Sequence, residues 1–99
     1  MNAHYVVNFP AYFDEHSTEI EAKGYFDDLT VDVGDVRYKP LFYDTARVRQ
    51  EYEDHLAGGA AAFVEPNLVI VRKVTSATIE AAIDELARAG FRALVPETQ

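Results

Sequence analysis

Seventeen carboxylates and three histidines, with no cysteine, are the side chains on which acid–base or metal chemistry in this 99-residue chain would rest. The missing thiols exclude a disulfide scaffold, a thiolate metal site and a cysteine nucleophile. His4, His16 and His55 share no ligand spacing of the H-x-x-x-H or H-E-x-x-H kind, so no metal site is expected. Asp27, Asp28, Asp32 and Asp35 surround Gly34, but without the D-x-[DN]-x-[DN]-G order of a calcium loop. Leu29, Val31 and Val33 between them have the character of strand residues facing a core, which sets Asp32 on the opposite, solvated face. His16 adjoins Ser17, yet neighbours in sequence rarely aim at one another. Ser17 and Ser76 are better explained as helix caps. The chain contains no G-x-S-x-G, G-x-G-x-x-G or G-x-x-x-x-G-K motif. Gly58-Gly59 precedes an expected strand, so it cannot offer a helix N-terminus to phosphate. No catalytic residue and no cofactor are assigned, and the reading points away from an enzyme.

What stands out instead is an uneven distribution of charge and aromatic rings. Residues 1–35 hold eight acids against one base, Lys23, whereas residues 36–99 hold nine acids against eight bases. Nine of the twelve aromatics precede residue 44. One order occurs twice, two rings followed by two acids: Tyr12-Phe13-Asp14-Glu15 and Tyr25-Phe26-Asp27-Asp28. Tyr5, Phe9 and one of Phe42 and Tyr43 are the best core candidates of this half, which leaves the two repeated segments unassigned. Aromatic anchors ringed by charge give protein interfaces affinity and fast association together. The eight residues of the two segments are therefore the candidate protein-binding site. The competing reading makes the rings a cover for one side of a sheet, with the acids keeping it solvated.

The elements that must carry these residues are clearest in the second half. Asp44 is a plausible N-cap, Val48, Tyr52 and Leu56 recur at helical spacing, and Gly58-Gly59 ends the pattern, predicting a helix over about 45–57. Ala60–Val64 is expected to be a strand, and Glu65-Pro66-Asn67 a turn. Leu68–Arg72 is apolar and β-branched, so it should be a strand covered on both faces. A second helix follows Thr75-Ser76, buries Ile79, Ala82, Ile83 and Leu86, and stops at Gly90. Phe91–Val95 alternates as a last strand. In the first half, His4–Phe9 is a strand by composition. Val31–Val33 and Val36–Tyr38 flank Gly34-Asp35 as a hairpin or a bulged strand. Ser17 to Gly24 fits a capped short helix and Ile20–Lys23 fits an edge strand, with helix or irregular structure the preferred reading.

A chain of this length is one domain, here 1–99, with residues 1–43 acidic and aromatic-rich and 44–99 built as helix–strand–helix–strand. The expected class is α+β: a four- to five-stranded, mainly antiparallel sheet with two main helices on one face, ferredoxin-like in character. A formal charge of −8 disfavours direct binding to nucleic acid. No apolar run approaches a membrane span, and no signal peptide is apparent, so a cytoplasmic protein is expected. The first functional expectation is a small acidic protein, monomeric or homodimeric, that neutralises a basic protein partner in the manner of immunity proteins and antitoxins. The alternatives are a dimeric ferredoxin-like domain binding a small molecule, or acting as a cofactor-free enzyme, with His4 or His55 lining its pocket, and a structural assembly subunit. The chain resembles no family closely enough to be assigned to one.

Overall fold

The computed structural model describes residues 4–97, and in it six short strands divide between two sheets rather than sharing one. Strand β1 (Val6–Asn8) is followed by helix α1 (Ser17–Lys23), β2 (Tyr25–Phe26), β3 (Thr30–Val33), β4 (Val36–Tyr38) and β5 (Leu41–Tyr43). Helix α2 (Thr45–Ala57), β6 (Leu68–Ile70) and helix α3 (Ser76–Arg88) complete the described elements. The result is a small α+β domain with two three-stranded sheets and three helices.

The first sheet has the order β1-β3-β4 and is antiparallel throughout. Val7, Val31 and Tyr38 lie in register across it and face the core, while Val6, Asp32 and Arg37 form the outer row. Arg37 donates from Nε and Nη2 to the two oxygens of Asp32 at 2.7 and 3.0 Å, and Asn8 adds a bond to Asp32 at 2.9 Å. Those donors hold the Asp32 carboxyl below its usual range, the Arg37 bonds contributing most. Asp32 thus lies on the solvated face, and Gly34-Asp35 is a hairpin turn.

The second sheet has the order β2-β5-β6, with β2 antiparallel to β5 and β6 parallel to it. Period-two alternation gives it two distinct faces. Phe26, Phe42 and Val69 form the row turned toward the core. Tyr25, Tyr43 and Ile70 form the opposite row, which α2 and Phe63 cover only in part. Helix α3 supplies Ile79, Ile83 and Ala87 to the common core, which also takes Phe13, Ile20, Leu29, Val31, Val71, Val74, Phe91 and Leu94.

Both long helices start and stop where capping chemistry places them. Asp44 accepts from the Arg47 amide at 2.8 Å at the head of α2. Thr75 rather than Ser76 caps α3, in a reciprocal capping box with Thr78. In α1 the N-cap position is His16, and Ser17 is the first helical residue.

In several elements the structure differs from these expectations. The single sheet becomes two, because β2 and β5 supply an additional, separate ladder. Ala60–Val64 is irregular: Phe63 turns back to stack on Tyr43, with centroids 6.2 Å apart, and to meet His55 at 4.9 Å. Phe91–Val95 is a turn, not a strand, since Phe91 and Leu94 both enter the core and a spacing of three is incompatible with alternation. Leu68–Ile70 is an edge strand with one open face, and the Val48-Tyr52-Leu56 side of α2 contains no fully buried residue.

Asn67 joins the end of the chain to the second sheet. With φ at 60°, it donates from Nδ2 to the Val95 carbonyl at 3.0 Å and accepts from the Val95 amide at 2.8 Å. Alanine there loses both bonds and tolerates the left-handed backbone less well. Asn67→Ala is expected to cost about 1–3 kcal/mol. In urea unfolding this should lower the midpoint and leave the slope unchanged.

Candidate functional site

The two ring–ring–acid–acid segments come together, but each doublet splits. Tyr12 is 39 % exposed while Phe13 is 3 % exposed; Tyr25 is 36 % exposed while Phe26 is 5 % exposed. The chemistry of the rings accounts for the division, since phenylalanine has nothing to offer water and tyrosine keeps its hydroxyl wet. Phe13 and Phe26 meet edge to face at 5.0 Å, and Phe9 packs on Phe13 at 4.8 Å. Phe13 is a core residue beneath the candidate surface, and Phe26 belongs both to the core and to the lining of that surface.

Above this aromatic floor lies an open groove of about 410 Å³. Tyr12, Tyr25 and Phe26 line it, together with Asp27 and Asp28 from the segment between β2 and β3. Helix α1 supplies the remainder: Glu19, Ile20 and Lys23, with His16 just before its first turn. The spacing of 16, 19, 20 and 23 puts these four on one side of a helix. That helical register was the signal that could have identified them, had the helix been distinguished from an edge strand. Asp14 and Glu15 are exposed on the turn leading into α1 and do not line the groove.

Gly24 sets the angle between α1 and β2. Its φ of 74° closes the helix, its amide bonding back to Ile20 and Glu21, and its carbonyl accepts from the Asp44 amide at 2.8 Å. On the far side of Tyr25, the Arg47 guanidinium stands 4.6 Å from the ring centroid. Arg47 is fixed there by bonds to the Lys23 carbonyl at 3.0 and 3.1 Å and to Glu51 at 3.3 Å.

Tyr12 donates from its hydroxyl to Asp28 Oδ2 at 2.5 Å. That bond ties the two repeated segments to each other and pushes the Tyr12 phenol up to about 12, with burial and the charges of Asp28 and Asp27 adding to it. Because the folded phenol ionises above the unfolded one, its contribution to stability is complete below about pH 10 and is lost as pH rises through about 12. Asp28→Asn should return one phenolate transition toward the ordinary tyrosine range, read by ultraviolet difference absorbance. Tyr12→Phe should remove that transition altogether.

His55 lies outside the groove, with Nδ1 2.7 Å from the Glu51 carbonyl and its ring against Phe63, and His4 is exposed. Among the described residues no group of three His, Asp or Glu side chains converges as metal ligands, and no helix is long and apolar enough to cross a membrane. The chain matches no family model, no curated protein and no solved structure.

Proposed function

We propose that the groove between α1 and the β2–β3 connection is the docking site for a basic protein, whose activity the chain restrains by occupying it. The observation that carries this reading is the juxtaposition of two half-exposed tyrosines with Glu19, Asp27 and Asp28 around one open groove. Tyrosine supplies contact area at low entropic cost, and carboxylates around it steer a cationic partner and stand in for the phosphates such a partner would engage. The Arg47 guanidinium over one side of the Tyr25 ring fixes the ring in place, so it can serve as an anchor without further ordering. The rigid aromatic floor of Phe9, Phe13 and Phe26 limits the ordering cost on association.

Capture of proteins from a native lysate on the immobilised chain, at low and at moderate salt, tests the proposal. One basic protein should be retained, with recovery falling as salt rises. Retention of acidic proteins alone, or of nothing, would contradict it.

A further inference from the structure

Strand β6 closes one side of the second sheet, and its parallel register determines which backbone groups face outward. The Leu41 amide donates to the Asn67 carbonyl at 2.9 Å, and the Val71 amide to the Tyr43 carbonyl at 2.9 Å. Residues 67, 69 and 71 therefore turn toward β5, and the N–H and C=O groups of Leu68 and Ile70 point to the open edge. Among the described residues no backbone group pairs with them there. Ile70 is 54 % exposed, and a shallow groove of about 240 Å³, lined by Val69, Ala82 and Leu86, runs alongside toward α3. An unpaired apolar strand edge is the surface on which a sheet accepts another strand.

We infer that this edge pairs with the same edge of a second copy, antiparallel about a two-fold axis at Val69. Such an axis sets Leu68 opposite Ile70 of the other copy, so both outward-facing residues become hydrogen-bonded pairs and the two sheets join into one. The flanks of the strand favour this occupant over an unrelated peptide. Glu65 precedes β6, and Arg72 and Lys73 follow it, all exposed. Antiparallel pairing brings the acid of each copy to the bases of the other, and parallel pairing would oppose like charges. The surface is distinct from the acidic groove and does not depend on the function assigned to it.

Light scattering after size exclusion, over a range of concentrations, tests the inference on the whole chain. The wild type should reach twice the chain mass as concentration rises. Ile70→Lys, at an exposed position, should keep the wild-type melting temperature at dilutions where both forms are monomeric and raise the dimer dissociation constant by about tenfold or more, since it sets a charge against the apolar Leu68 of the other copy and brings the two new lysines diagonally across the edge. Arg72→Glu with Lys73→Glu should weaken the dimer, and adding Glu65→Lys should restore it. A wild type that is monomeric at every concentration overturns the inference. So does a dimer indifferent to Ile70→Lys, or a charge swap that fails to rescue.

Discussion

Gly24→Ala is expected to destabilise the fold by about 2–4 kcal/mol, far more than a methyl group ordinarily costs. Three effects combine at this corner. The φ of 74° is one that an L side chain adopts only with strain. A Cβ built on Gly24 would stand 2.7 Å from both carboxylate oxygens of Asp44. That carboxylate is not free to retreat, because it caps α2 through the Arg47 amide. For a chain of this size, the loss corresponds to roughly 10–25 °C in Tm. Asp44→Ala alone should cost about 1 kcal/mol as a lost cap. The double variant should cost less than the sum of the two, because removing the carboxylate relieves the clash. Strict additivity in thermal or urea unfolding would show that the close approach does not govern this corner.

Asp27→Lys combined with Asp28→Lys is expected to slow association with the basic partner proposed for the groove by about tenfold to a hundredfold, with a larger loss in equilibrium binding. Both residues are exposed, and the bond from Tyr12 to Asp28 is the side-chain contact that the change removes. Melting should therefore move by no more than a few degrees, about what one surface hydrogen bond contributes. Tyr12→Ala or Tyr25→Ala should act differently. An anchoring ring is felt mainly in dissociation, and its loss weakens binding by roughly 30-fold or more where it serves as a hot spot. Stopped-flow association rates beside dissociation rates separate steering acids from anchoring rings.

Much of this architecture was legible because long elements carry their own punctuation. Helix α2 runs over 45–57, between Asp44 and Gly58, and α3 begins one residue after Thr75, both as the cap chemistry predicts. Alternation on either side of Gly34-Asp35 announced two strand segments but left a hairpin and a bulged strand both open, and the antiparallel register of β3 and β4 decides for the hairpin. Strands β2 and β5, of two and three residues, are too short to display a period, so the second ladder had no local signature. Phe91–Val95 imitates a strand by composition, but its two buried side chains are three residues apart and the backbone turns at φ 59° to place them. The stripe of Val48, Tyr52 and Leu56 has helical spacing, yet α2 meets the sheet through Arg47, which bonds to the Lys23 carbonyl and Glu51 and lies over the Tyr25 ring.

The candidate site divides along the same line. The repeated ring–ring–acid–acid order drew attention to Tyr12, Tyr25, Phe26, Asp27 and Asp28, and these five line the groove. Order alone did not reveal that the second ring of each doublet points inward, since that depends on the register of β2 against β5 and on the turn over 11–16 that sets Phe13 against Phe26. Asp14 and Glu15, equivalent to Asp27 and Asp28 in the repeat, fall outside the groove, because a turn leading into a helix follows Phe13 whereas an extended segment follows Phe26. His16, Glu19, Ile20 and Lys23 were missed because they reach the groove only through the rotation of α1.

The most direct test compares capture from one native lysate by three immobilised forms at low salt. These are the wild type, the Asp27→Lys, Asp28→Lys form, and a control carrying Asp35→Lys with Glu80→Lys, two exposed acids outside the groove. Each reversal changes net charge equally, so general electrostatics cannot distinguish the two variants. The wild type and the control should both retain one basic protein that the groove variant loses. Equal retention by all three forms, or equal loss from both variants, would contradict a binding site in the groove.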